Sequence, residues 1–195
     1  MRLGILGGTF DPIHNGHIAA ARASAQALSL DRILLIPAGN PQHRVSAPVA
    51  TAEQRYEMVV AACAEQSAAD VSLQPSRIDI DRAGPTYSID TVAAVRREYG
   101  DAELFLILGA DAFAQLDTWR EPEQLRKQAT CVVVQRTTPS DAPASVVDAG
   151  AVSVALEGCD VSATDIRARV AAGQPIDRLV PSAVAAYIGA HGLYR

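Results

Sequence analysis

Near its N-terminus the chain reads Gly7-Gly8-Thr9-Phe10-Asp11-Pro12-Ile13-His14-Asn15-Gly16-His17. The two glycines allow close backbone approach to a ligand. They follow Leu3, Ile5 and Leu6, a short apolar run that reads as a buried strand. A helix is expected to begin near Asn15 or Gly16. A glycine turn between strand and helix is where α/β proteins hold phosphates, because free backbone N–H groups and the helix dipole both point there. On a helix start His14 and His17 would lie about 60° apart on one face. Two imidazoles at a phosphate-binding turn suit nucleotide chemistry, with Gly7, Gly8 and adjacent N–H groups cradling a polyphosphate. The plainer alternative is a tight βα turn whose histidines are surface caps.

A second constellation is Val161-Ser162-Ala163-Thr164-Asp165-Ile166-Arg167. Ser162 can N-cap a helix with Asp165 at the capping-box position. Thr164 and Arg167 add a hydroxyl and a guanidinium at the same helix start, which would make it a second phosphate site. Spacing alone leaves cap and phosphate site equally open. A third set lies in loops after strands: Asn40, His43 and Arg44 within 37–44, then Gly109-Ala110-Asp111, and Arg136. The crevice of a parallel sheet lies outside the carboxyl ends of its strands, so these loops can share one site. Asp111 is placed to accept a hydrogen bond from a ribose or adenine, or to act as an ordinary N-cap. Trp119, the sole tryptophan, begins an amphipathic element with Thr118 and is either a stacking platform or core.

Other chemistries find little support. The chain has no G-x-x-x-x-G-K-[ST] loop, no G-x-S-x-G elbow and no G-x-G-x-x-G fingerprint. Its one lysine, Lys127, sits in a charged helix, which argues against a covalent lysyl-nucleotide intermediate. His14 and His17 have no obvious third zinc ligand. Groups that stabilise phosphate abound while nucleophiles are scarce. That balance fits direct in-line phosphoryl or nucleotidyl transfer between two bound substrates, with Mg²⁺ bridging phosphates.

These groups need a scaffold, and 195 residues suffice for one well-buried core, so a single domain spanning 1–195 is expected. Hydrophobic residues make up 49% and charged ones 20%, values ordinary for a globular protein. The net charge of −5, without a dense basic run, argues against nucleic-acid or membrane-surface partners. Cys63, Cys131 and Cys159 form no metal-ligand spacing and read as reduced thiols. With no signal peptide and no membrane-length apolar run, a cytoplasmic location is expected.

Apolar runs at 3–6, 33–36, 104–108, 131–134 and 151–156 read as strands, with further pieces at 71–73 and 77–80. Helices are expected over 15–28, after a capping box at Thr51 and Gln54, around Ile89 to Tyr99, and at 122–127, 163–172 and 182–191. Tyr56, Val59, Val60 and Cys63 would line one face of the second helix. Gly173 and Gly192 are placed as C-caps. Residues 137–143 read as a flexible surface loop, and Cys131 as a small buried hydrophobe. The βαβα rhythm predicts an α/β fold: a doubly wound, Rossmann-like, mostly parallel sheet with helices on both faces and a small helical C-terminal part.

The first segment, with its H-x-G-H, resembles the first motif of the nucleotidyltransferase α/β-phosphodiesterase superfamily, and Val161–Arg167 resembles the second, I-S-x-T-x-x-R. Within it the chain is similar to the bacterial nicotinate-nucleotide adenylyltransferase family. That similarity rests on Ile36-Pro37 with Asn40-Pro41-Gln42-His43-Arg44, Pro85-Thr86-Tyr87-Ser88, Ile107-Leu108-Gly109-Ala110-Asp111, Thr118-Trp119, and a terminal stretch from Leu179-Val180-Pro181 to Leu193-Tyr194. The resemblance implies transfer of AMP from ATP to nicotinate mononucleotide, giving deamido-NAD and pyrophosphate. It also implies roles. Gly7, Gly8, Thr9, Phe10, His14 and His17 would line the ATP side, where His14, His17 and Arg167 act in catalysis. Ser162, Thr164 and Arg167 would hold the polyphosphate, and Gly109 and Asp111 the adenosine. Asn40, His43, Arg44, Thr86, Tyr87, Trp119 and Arg136 would form the acceptor pocket, with Trp119 stacked on the pyridine and N–H groups near Thr86 binding its carboxylate. Mg²⁺ would ride on the ATP phosphates. Gln42-His43-Arg44 stands where Pro-His-Lys is common, and Ala163 replaces a frequent serine. Two other readings remain: the same fold with an acceptor such as phosphopantetheine, and a nucleotide-binding regulator without catalysis.

Overall fold

The computed structural model describes residues 1–41, 47–66, 71–136, 150–156, 158 and 160–195. Six strands form one sheet: β1 (Arg2–Gly8), β2 (Arg32–Pro37), β3 (Ser72–Pro75), β4 (Glu103–Gly109), β5 (Thr130–Arg136) and β6 (Val152–Leu156). Their order is β3-β2-β1-β4-β5-β6 and every pairing is parallel. The first strands of the two halves, β1 and β4, pair at the centre, with Leu3 opposite both Arg32 on β2 and Leu104 on β4.

Alternate residues of the central strands feed two separate cores, as the period of two requires. Leu3, Ile5, Leu34, Ile36, Leu104, Leu106 and Cys131 face one side, with Ile89, Val92 and Val95 of helix α3 (Ser88–Tyr99) and Leu125 of α5 (Pro122–Gln128). Leu6, Ile33, Leu35, Phe105, Ile107 and Val132 face the other, under α1 (Asn15–Leu28), α2 (Ala52–Glu65), α6 (Ala163–Ala171) and α7 (Ser182–Ala190). A short helix α4 (Ala110–Ala114) and a 3-10 turn (Leu116–Thr118) lead into α5. Gly4 sits where a Cβ would come within 2.9 Å of Ile33 and 3.2 Å of Ile107, so the larger side chains of β2 and β4 close over β1.

Most expected elements form. Thr51 and Gln54 make their reciprocal capping box. After α6 and α7, Gly173 and Gly192 adopt φ of 67° and 60°, and the next N–H groups return to Arg169 and Ile188 carbonyls as in Schellman motifs. Two expectations fail. Residues 77–80 form a turn, not a strand: the Arg77 carbonyl accepts from both Ile80 and Asp81 N–H groups. The alternating pattern there buries Asp79 rather than extending the sheet. The buried stripe of α2 is Arg55, Met58, Val59, Ala62 and Cys63, while Val60 is exposed, rotated out of the i, i+3, i+4 face. Cys131 is buried as expected. The expected loop at 137–143 and Cys159 lie outside the described residues.

Candidate active site

The chain leaves β1 for α1 on one face and β4 for α4 on the other, so a crevice opens between them at the carboxyl ends. A cleft of about 620 Å³ occupies this switch point. Gly7, Gly8, Thr9, Phe10, His14 and His17 line it from the β1 side, Gly109 from β4, Ser162 and Thr164 from the start of α6, and Thr86 and Trp119 from the far wall. Gly7 has open space where a Cβ would stand, whereas Gly8 makes room for the Phe10 ring, 3.0 Å from such an atom. Phe10 is buried, takes φ of 51°, and meets the His17 ring edge-on at 4.9 Å.

The two histidines meet differently from the expected shared helical face. His14 is the extended N-cap of α1 (φ −147°) and His17 is its third helical residue. The backbone N–H of His14 donates to His17 Nδ1 at 3.2 Å, and the rings stack at 3.7 Å. An accepting Nδ1 leaves the proton of a neutral His17 ring on Nε2, making that edge a donor.

Ser162 caps α6, its Oγ accepting from Asp165 N–H at 3.1 Å, and it also lines the cleft. Arg167 stands behind the cleft wall rather than in it. Its Nη1 donates to the Asp11 carbonyl at 2.8 Å and its Nη2 to Thr164 Oγ1 at 3.3 Å, tying the second motif to the first. Asp111 is exposed in the first turn of α4 and does not line the cleft.

Across the cleft, Asn40 and Thr86 exchange hydrogen bonds. Thr86 N–H donates to the Asn40 carbonyl at 2.9 Å, and Asn40 N–H donates to Thr86 Oγ1 at 3.0 Å. Thr86 N–H is therefore engaged, and Ser88, the first residue of α3, also lines the cleft. Tyr87, the N-cap of α3, stays outside the lining with Arg120 5.1 Å over its ring. Trp119 ends the 3-10 turn instead of beginning an amphipathic element, and its half-buried ring packs on the core under α3 and α5 while lining the cleft. Arg136 is the last residue of β5, opposite Leu156. His43 and Arg44 lie outside the described residues.

Comparison with known proteins shows the family. Residues 5–169 match the model of the cytidylyltransferase-like family. A Thermus thermophilus protein named "Probable nicotinate-nucleotide adenylyltransferase" is 44% identical over 197 residues, covering 100% of both chains. A Streptomyces coelicolor protein of the same name is 44% identical over 190 residues, covering 97% of this chain and 99% of its own. The chain belongs to the nicotinate-nucleotide adenylyltransferase family. Membership makes it a nucleotidyltransferase. The fold is shared more widely: a Plasmodium falciparum nicotinic acid mononucleotide adenylyltransferase complexed with NaAD superposes with a TM-score of 0.77 at 15% identity, covering 99% of this chain and 97% of that one.

In this adenylyltransferase-family chain, three charged residues around the cleft escaped the sequence reading. Arg55, 1% exposed, donates to the carbonyls of Thr9 (2.7 Å), Gly39 (3.3 Å) and Ala50 (3.3 Å), joining the loops after β1 and β2. Asp11, also buried, accepts from Val49 and Ala50 N–H groups. Asp79 lines the cleft, accepts the Thr91 hydroxyl at 2.7 Å and pairs with Arg82 at 2.7 Å. Burial pushes the Asp79 carboxyl above the usual range, against the opposing pull of Thr91 and Arg82. Gly39 lies on its backbone: a Cβ there would sit 2.3 Å from the Asp79 carbonyl oxygen. An acid between two isoleucines, Ile78-Asp79-Ile80, was the available signal for a buried carboxylate.

Proposed function

We propose that this chain transfers AMP from ATP to nicotinate mononucleotide, forming deamido-NAD and pyrophosphate as a step of NAD biosynthesis. One observation carries the reading: a single cleft joins a wall of phosphate donors (His14, His17, Ser162, Thr164) to a wall with an aromatic platform and a helix start (Trp119, Thr86). The names of the relatives and the NaAD and APC complexes of the Plasmodium falciparum enzyme support the same substrates.

In this reading ATP enters over Gly7 and the start of α1. A phosphate oxygen of the mononucleotide attacks the α-phosphorus in line, a new P–O bond forms, and the bond to the β-phosphate oxygen breaks. Pyrophosphate departs with its electron pair, and no covalent enzyme intermediate arises. His17 donates from Nε2 to the growing charge, with His14 stacked against it. Thr164 and the first turn of α6 hold the departing phosphates, Arg167 fixes the two motifs relative to each other, and Gly109 and Asp111 flank the adenosine. The contribution is positioning and charge stabilisation rather than nucleophilic chemistry. Trp119 stacks on the pyridine. The N–H groups at the start of α3 receive its carboxylate, with Asn40, His43, Arg44, Tyr87 and Arg136 completing the acceptor side.

The Asp11 carboxylate, the acid beside the phosphate turn, has both oxygens engaged by N–H donors, which suits an ion borne by the substrate. Mg²⁺ on the ATP phosphates supplies neutralisation of the leaving pyrophosphate. We place the reaction in the cytoplasm and in a single domain; no helix among the described residues is long and apolar enough to cross a membrane.

The test is pyrophosphate release from ATP and Mg²⁺ with nicotinate mononucleotide, nicotinamide mononucleotide or phosphopantetheine. The first should be used at least 10-fold more efficiently than the second, since donors aimed at a carboxylate leave a carboxamide N–H₂ without an acceptor. Preference for phosphopantetheine would replace the acceptor, and release with none of them would favour a nucleotide-binding regulator.

A further inference from the structure

The C-terminal helical segment has no part in the scheme above, yet it is fastened to the phosphate turn at several points. Asn15, the first residue of α1, donates its N–H to the Leu179 carbonyl at 2.9 Å and its Nδ2 to the Arg178 carbonyl at 3.0 Å. Deeper in, the Tyr194 hydroxyl donates to Asp11 Oδ1 at 2.8 Å. Tyr194 is 7% exposed and Asp11 2%. Burial, reinforced by the bond to Asp11, pushes the phenol above its ordinary range, so the hydroxyl remains a donor.

Asp11 itself distributes that restraint. Its Oδ1 also accepts Ala50 N–H at 3.1 Å, and its Oδ2 accepts Val49 N–H at 2.8 Å. Ala50 is gripped on its other side as well, its carbonyl held by Arg55, whose guanidinium also holds Thr9 and Gly39. The carboxylate thus pins Val49 and Ala50, just before α2, against the turn that carries the ATP-side residues. A carboxylate with three donors on two oxygens has one orientation; removing the tyrosine hydroxyl leaves Oδ1 shared by a single, longer bond.

We propose that Tyr194 is a positioning residue for the reaction: through its hydroxyl it fixes Asp11, and through Asp11 it fixes the loop between β2 and α2 against the phosphate turn. The effect falls on the acceptor, because Arg55 ties Ala50 to Gly39, the neighbour of Asn40 on the acceptor side. This rests on the adenylyltransferase reading above for its kinetic part and on geometry alone for its structural part.

The test uses Tyr194→Phe, which keeps the buried ring, beside Leu193→Ala, which trims packing in the same segment but leaves the hydroxyl bond. In Tyr194→Phe, hydrogen exchange at the Val49 and Ala50 amides should accelerate at least 10-fold. Its KM for nicotinate mononucleotide should rise about 5-fold or more, with kcat and the KM for ATP within 2-fold of the parent. Leu193→Ala should lower the melting temperature without either change. Unaltered exchange in Tyr194→Phe overturns the proposal, as does faster exchange with an unchanged KM. Equal effects in the two variants also overturn it, since the cause would then be lost stability. A parent enzyme that uses a different acceptor, or none, would refute the reading of function while the amide exchange still decides the role of Tyr194.

Discussion

His17 is the residue whose chemistry the fold specifies most tightly. Its Nδ1 is occupied by the backbone of the residue that caps its own helix, so the cap that starts α1 also selects the tautomer that faces the cleft. A donor that acts mainly on charge developing at phosphate should appear in kcat more than in binding. His17→Ala should therefore reduce kcat about 100- to 1,000-fold with a small change in the KM for ATP. Steady-state assay of the purified, folded variant checks this, and turnover near the parent's would remove His17 from the reaction.

At the scale of elements, the sites depend on loops whose shape is set by carbonyl contacts. Gly39, after β2, rests on the Asp79 carbonyl so closely that a methyl group at 2.3 Å requires one backbone to move. Gly39→Ala should cost about 1–3 kcal/mol, lowering the melting temperature by several degrees. It should also weaken use of the mononucleotide, since Asp79 and Thr86 line the same wall. A thermal melt beside an acceptor titration tests both; an unchanged melting temperature would mean the contact yields freely. Local patterns announced the strands, the capping box at Thr51, the Ser162 cap and the paired glycine C-caps, because each is encoded within a few neighbouring residues. The turn at 77–80 mimicked a strand because Ile78 and Ile80 alternate with charge. Arg55 and Asp11 were opaque for another reason: their partners lie 5 to 183 residues away, and helical periodicity alone marks an arginine as solvent-facing.

For the molecule as a whole, burial couples stability to pH through Cys63, which lies on the inner face of α2. Burial pushes its thiol from 9.0 to about 12. Between those values the unfolded chain has released a proton that the folded chain retains, so folding loses stability as pH rises through that window. From pH 8.5 to 10 this amounts to about 1 kcal/mol. Urea unfolding at the two pH values should show that loss in the parent, and Cys63→Ala should lack this share of it. Identical pH dependence in the two proteins would show that the thiol titrates normally in the folded state.

The bonds from Tyr194 and Arg167 to Asp11 span 183 and 156 residues. Contacts so remote in sequence close very long loops, and their entropic cost is met only after nearer pairings have formed. During folding, β1 can align with β2 and close over its first helix while the turn at its tip still lacks these anchors. The turn at the tip of β1 therefore sets last along the folding route. By the same logic it is the first part surrendered when the molecule begins to open, well before the sheet itself gives way.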